Sequence, residues 1–447
     1  VSIWKACCVG DLETVKNLID ADPTIVNQSG GFFDWEPLMY ACYSRLQVPG
    51  CSTLAVAEFL LDNGANANAY YMWGGQYRFT ALTGVFGEGE HGPGNCPEHP
   101  ECLALARLLL ERGADANDSQ ALYNRMFTPG SSCLELLLEF GLGPDSCSNW
   151  LLEEDGNLIP NQKQTLQYQL QHAIGAGFVD RARLCVEGGA DLTTPLDGRP
   201  FYEQALLAGD KELAEYLVSR GAERCALDRT TAFAAACLTN NEPAAVRMLE
   251  EDPTLLADTQ TSVPELISRP VDTSKYETVR LLVRLGIDLE RNHTPLHSAT
   301  WGGDLHMVKL LVELGCNPRR QDGSHHATPM QWATYRKNRE DFVQFLSACD
   351  IDIFDAILSG QPSAIRRVLE ADQSSLNVTY GSLRTNVPDA EARADTPLAR
   401  AVRDGKLEAV QTLLELGANR DFVSPGGQTL VELAQANGSN AIVALLD

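Results

Sequence analysis

The sequence predicts an all-α fold of stacked helical hairpins, and three observations predict it. An apolar Leu-Leu run closing on Gly-Ala-Asp, or a near relative of it, recurs along the chain. A Thr-Pro-Leu phrase precedes several of these runs. The helix pairs fill the 447 residues and leave no room for a separate globular domain. Length alone suggests about three ordinary domains of ~150 residues, but recurrence at a short period overrides that expectation.

The run first stands at 59–66 and returns at 108–115, 184–191, 216–223, 281–288, 310–317 and 413–419. Apolar residues at helical spacing bury one face, and the glycine takes the left-handed conformation that ends the helix. The second phrase reads Thr294-Pro295-Leu296, Thr328-Pro329-Met330 and Thr396-Pro397-Leu398. Threonine caps the helix, proline suits its first turn where a missing N–H costs nothing, and the small residues that follow let a second helix pack closely.

This pairing of phrases resembles the ankyrin repeat. The copy at 293–321 is close to the family pattern, and those near 80, 119 and 263 are degenerate. The resemblance implies about 13 units of roughly 33 residues, end to end, in an ankyrin-repeat solenoid of hairpins joined by β-turn fingers. It also implies a protein-protein interaction scaffold that binds a protein or peptide through its concave face and fingers. In that family pattern His297 serves the finger region structurally. A boundary is placed where the Gly-Ala-Asp turn is missing, so that 1–350 forms the main array and 351–447 the C-terminal repeats and cap. The polar linker 373–395 reads as an extended finger or a mobile loop.

With 35 Lys plus Arg against 60 Asp plus Glu, the net charge is -25. Such a chain repels phosphate backbones, so nucleic acid and anionic membranes are not expected partners. No stretch approaches the ~18 apolar residues of a membrane span, and the opening residues carry no secretory pattern. The 13 cysteines are odd in number and sit mostly in apolar helical stretches, which fits a reducing compartment. A cytoplasmic monomer with a partner of basic character is the expectation.

Departures from the repeat mark candidate function, and they gather in the first three units. Two fingers carry seven large aromatics: Phe32, Phe33, Trp35, Tyr70, Tyr71, Trp73 and Tyr77. They form an exposed binding patch, or pack on one another over the first hairpins, and the two readings are compatible. Together with positions that the family pattern turns to the groove, binding is expected at Trp35, Tyr40, Tyr43, Tyr71, Trp73, Tyr77, Tyr123, Arg125 and His172. Tyrosine and arginine are enriched at recognition hot spots.

An insertion at 87–102 holds Cys96, His99 and Cys102, residue types that zinc prefers. No second ligand pair stands at finger spacing elsewhere, so no cofactor is expected; zinc on these three is the lesser reading, and an ordered Gly/Pro loop the greater. Phosphate-loop, nucleophile-elbow and zinc-helix motifs are absent, and no catalytic residue is expected. The alternative function is a small-molecule-binding protein or enzyme, with a pocket between the aromatic fingers and the inserted loop. Glu88, Glu90, His91 and His172 would then supply acid and base.

Overall fold

A computed structural model describes residues 1–447 apart from 91, 93, 155, 156, 161, 162, 196, 337, 338 and 447. The chain is mostly helical and divides into two compact units, Val1–Asp228 and Arg229–Asp447.

Among its described residues the first unit strings together six hairpins. They are Ile3–Val9 with Leu12–Ala21, Pro37–Tyr43 with Thr53–Asp62, and Ala81–Phe86 with Cys102–Glu111, then Ser119–Arg125 with Ser132–Glu139, Thr165–Ala176 with Val179–Glu187, and Phe201–Leu207 with Lys211–Ser219. Each leading helix packs on the leading helix of the next hairpin. The cause is the apolar stripe: Val56, Ala57 and Leu60 in one trailing helix, and Leu105, Ala106 and Leu109 in the next, are fully buried. Each such leucine contributes about 1.5–3 kcal/mol relative to exposure. Side chains of Asp11, Ser52, Thr80, Asp118 and Asp210 cap helix N-termini. Gly64 and Gly113 close their helices at φ +88° and +94°, as the recurring phrase requires.

An asparagine in the finger of one hairpin grips the closing turn of the next. Asn27 donates to the Gly64 carbonyl at 2.8 Å and accepts from the Asn66 N–H at 2.8 Å. Asn68 does the same with Gly113 and Asp115, both at 2.8 Å. Two fingers of this unit lengthen into antiparallel strand pairs, Tyr70–Trp73 with Tyr77–Thr80 and Leu151–Glu154 with Asn157–Pro160. The first uses the aromatic stretch singled out in the sequence, and the second was not anticipated. They meet where the Leu151 N–H donates to the Gln76 carbonyl at 3.2 Å.

The second unit holds seven hairpins among its described residues. They pair Arg229–Leu238 with Glu242–Glu251, Glu265–Asp272 with Tyr276–Arg284, Pro295–Gly302 with Leu305–Glu313, and Pro329–Tyr335 with Glu340–Ser347. After these come Ile353–Leu358 with Pro362–Ala371, Pro397–Arg403 with Leu407–Glu415, and Leu430–Ala436 with Asn440–Leu446. Thr328 and Thr396 cap their helices as expected, whereas Thr294 makes no side-chain cap bond. His297 is buried and bonds the Ala327 carbonyl at 2.9 Å, a structural role.

The division into compact units falls after Asp228. The helix Ile353–Leu358 packs on Pro329–Tyr335 like any neighbour, because Ile351, Ile353 and Phe354 bury across the position of the missing turn. The linker 373–395 carries the short helices Tyr380–Leu383 and Ala390–Ala394. Arg384 anchors it, buried against Asp352 and, at 2.7 Å, Asp355. Gln321 adds bonds to the Leu383 carbonyl and the Thr385 N–H, each at 3.0 Å. Among the described residues no helix is long and apolar enough to cross a membrane.

Candidate functional site

The fingers of the first unit join their aromatic rings into one continuous run. Phe33 stacks on Trp35 at 4.6 Å, and Trp35 on Tyr71 at 4.7 Å between ring centroids. The run continues through Phe79, Trp73 and Tyr77 to Trp150 at 5.4 Å, then to Tyr123 at 5.1 Å and Phe127 at 5.1 Å. Strand geometry explains its first half. Alternate residues share a face, and the register pairs Tyr71 with Phe79 and Trp73 with Tyr77 across the hairpin. Tyr70 takes the opposite face, where Arg78 sits 4.1 Å over its ring. The rings pack on each other and still leave Trp73 59% exposed and Phe32 90% exposed.

The inserted loop is tied down by arginines. Arg45 donates to the carbonyls of Gly84 at 2.6 Å, Ser44 at 2.9 Å and Cys42 at 3.2 Å, and also to that of Pro97. Arg125 meets Glu88 at 2.6 Å, Glu98 at 3.3 Å and the Phe86 carbonyl at 3.3 Å. Glu88 accepts further from the Thr128 hydroxyl at 2.8 Å. Between loop and fingers opens a cavity of about 460 Å³. Trp73, Tyr77, Phe79, Tyr123 and Trp150 wall it; Glu88, Glu90 and Cys96 line the loop side; buried Gln120 and Asn124 form its base. A second cavity of about 250 Å³ shares Tyr77 and Trp150 and adds Ser119, Ser148, Lys163 and Thr165. The larger volume falls within the roughly 300–1,000 Å³ of small-ligand sites.

The cavity is acidic. The Tyr123 hydroxyl donates to the Glu90 carboxylate, and burial together with that bond pushes the Tyr123 phenol up. Tyr168 is raised by burial and by the charge of Glu90. The indole N–H of Trp150 is buried without a hydrogen-bond partner among the described residues.

Several of the expected contact residues also bond within the frame. Tyr40 is buried, its hydroxyl donating to the Gly30 carbonyl at 2.8 Å and accepting from the Phe33 N–H at 2.9 Å, which holds the finger. Tyr43 donates to the Thr80 carbonyl at 3.0 Å and packs against Trp35. Arg125 is buried and engaged by two carboxylates. Trp35 and Tyr71 are half-buried within the ring run, and Trp73, Tyr77 and Tyr123 line the cavity. His172 lies between Phe127 and Phe178 and is not part of the cavity wall. Of the acid-base candidates, Glu88 and Glu90 share the cavity; His91 lies outside the described residues.

The zinc candidates have separate partners. Cys96 is exposed at the cavity. His99 is buried, with Nε2 2.9 Å from the Thr53 hydroxyl and Nδ1 accepting from the Glu101 N–H at 3.0 Å. Its pKa is lowered to about 4 by burial and by Arg45. Cys102 is buried and shares a hydrogen bond with Cys133. Among the described residues no group of three His, Cys, Asp or Glu could hold a metal ion.

Sequence reading missed Trp150, Phe79 and Arg45. The signal for Trp150 was the length of the finger before Thr165 and the Asp-Gly dipeptide at 155–156, a hairpin-type sequence.

Residues 270–356 match a family model described as "Ankyrin repeats" (3 copies). This stretch carries three ankyrin repeats. They lie in the second unit, and the near-consensus copy at 293–321 falls among them. The chain is also similar to the putative palmitoyltransferase ZDHHC13 of Danio rerio, 28% identical over 186 residues, or 40% of this chain and 28% of that protein. Palmitoyltransferase ZDHHC13 of Homo sapiens is 28% identical over 166 residues, 36% of this chain and 26% of that one. The chain thus spans about a quarter of the length of these relatives. A solved complex of a predatory endopeptidase from Bdellovibrio bacteriovorus with an immunity protein aligns at 19% identity over 40% of this chain and 95% of the matched chain, with a TM-score of 0.30.

Proposed function

We propose that the ankyrin repeat continues through both units, about 13 repeats in all, each unit an ankyrin solenoid. The chain is then a cytoplasmic protein-interaction scaffold that receives a peptide segment of its partner in the aromatic cavity of the first unit. The repeat count is supported by the hairpins of the two units, each leading helix packed on the next within its own unit. A reducing compartment is supported by free, buried thiols such as Cys7, Cys42 and Cys185. The observation that carries the binding reading is the cavity itself: an open volume walled by five aromatic rings, with Trp73 more than half exposed at its edge. Large rings at low entropic cost, around a central pocket, are the chemistry of recognition hot spots.

The test is selection of displayed random dodecapeptides on the full chain, followed by titration of the enriched peptides. Trp73→Ala should weaken binding by about tenfold or more, while Phe32→Ala, outside the cavity wall, should leave it unchanged. Failure to enrich any peptide that depends on Trp73 would refute the reading. The cavity volume also favours a second reading, a small-molecule site. Enrichment of a small ligand from a fragment screen, with Trp73-dependent binding and no peptide, would select it.

A further inference from the structure

The geometry points to a cation subsite: the cavity takes the positively charged side chain of a basic peptide. This rests on the reading of the cavity as the peptide site, and it specifies which part of the peptide enters. The ring faces of the wall carry negative quadrupole density, which attracts an ammonium or guanidinium within about 6 Å of a ring centroid. Among the described residues lining the cavity none is cationic, and two are carboxylates. Glu88 is matched by Arg125, but that guanidinium is shared with Glu98. Glu90 has the neutral Tyr123 hydroxyl as its partner, and among the described residues no ion pair joins it. The loop side of the cavity therefore carries more negative than positive charge.

Three ligand classes can be weighed against that arrangement. An anion would be repelled by Glu90, the more weakly because that side chain is exposed to water. A neutral apolar group would cover Glu90 and leave its charge desolvated without a counter-ion, which is strongly unfavourable. A cation satisfies both features, meeting the rings through its face contacts and Glu90 through its charge. The volume of about 460 Å³ leaves room for the alkyl stem of the residue as well as its head. The net charge of -25 draws basic segments towards the chain before contact.

The experiment labels the tryptophan indoles of the full chain with nitrogen-15 and follows them by NMR. Tetramethylammonium chloride and N-acetyl-lysine methylamide are the charged probes, and 3,3-dimethylbutan-1-ol is the neutral one. Saturable shifts of the Trp73 and Trp150 resonances are expected with both cations, with the neutral alcohol at least tenfold weaker. Glu90→Gln should weaken the cations at least fivefold and leave the alcohol unchanged. Trp73→Ala should weaken them, and Trp73→Phe should restore part of the loss. Equal binding of alcohol and cation, or no shift with either cation, overturns the subsite. If displayed peptides still bind through Trp73 in that case, the scaffold reading survives and the cation subsite alone falls.

Discussion

Replacing Arg384 with alanine is the change the second unit should feel most sharply. Its guanidinium is buried against Asp352 and Asp355, whose side chains are 9% and 1% exposed. Removing one partner of a buried ion pair costs about 3–5 kcal/mol, because the remaining charge is stranded out of water. Here two carboxylates are stranded, but Asp355 has an escape. Burial already raises its pKa to about 7 with Arg384 present, and it keeps the Thr328 hydroxyl at 2.9 Å. The loss should therefore fall near ~3 kcal/mol, local to the linker that Arg384 anchors, or about 150-fold in an opening equilibrium. Hydrogen–deuterium exchange of peptides covering 376–395 reads this directly at pH 7. The triple change Arg384→Met, Asp352→Asn and Asp355→Asn removes all three charges and should return most of the protection. If Arg384→Ala alone alters exchange by less than about threefold, the buried ion pairs do not hold the linker and the reasoning is wrong. The pH dependence has a definite sign. Between about pH 4 and 7 the native Asp355 holds a proton that an unfolded aspartate has released, so its contribution to stability falls as pH rises through that window.

Other outcomes follow from the first unit. Tyr40→Phe loses the bonds to Gly30 and Phe33, and a destabilisation of about 1–2 kcal/mol is expected in urea titrations followed by tryptophan fluorescence. Arg45→Ala strips four carbonyls of their donor, so exchange over 87–101 should accelerate well beyond that of the helices on either side. His99 is neutral when folded, its pKa lowered to about 4 against an unfolded value near ~6.5. Its stabilising contribution is complete above about pH 6.5 and is lost as pH falls towards 4, so His99→Gln should flatten the acid side of the melting curve. Parallel curves for the two proteins would contradict this. Thiol titration with a disulfide reagent should find Cys96 and Cys147 fast, and Cys7, Cys42, Cys185 and Cys237 silent until denaturant is added, since burial pushes these four thiols up.

The helical stack was legible because burial repeats at a fixed spacing. The Leu-Leu phrase states which face is covered, and the following glycine states where each helix must stop, so residues such as Leu60 and Leu109 needed no tertiary information. The cavity was only half legible. Trp73 and Tyr77 stand in one conspicuous stretch, but Tyr123 and Trp150 arrive from later hairpins, and their meeting depends on how long each finger is. The internal bonds of Tyr40 and Arg125 were not legible for a different reason. Residue types enriched at recognition surfaces are also those that reach buried carbonyls and carboxylates, and local sequence does not distinguish the two uses. Arg384 lay in a stretch that reads as polar linker, since its partners are set about thirty residues earlier, at Asp352 and Asp355.

The finger asparagines carry a consequence for how the protein ages. Asn27 and Asn68 each use the amide nitrogen to hold one backbone carbonyl and the amide oxygen to hold one backbone N–H. Slow hydrolysis of the amide would replace the donating nitrogen with a second oxygen, leaving a carboxylate facing the Gly64 or Gly113 carbonyl. The same double grip restrains the side chain from the backbone attack that begins the reaction. Damage should then accumulate first in molecules whose neighbouring hairpins have already come apart, making each deamidated asparagine a chemical record of past opening at that junction.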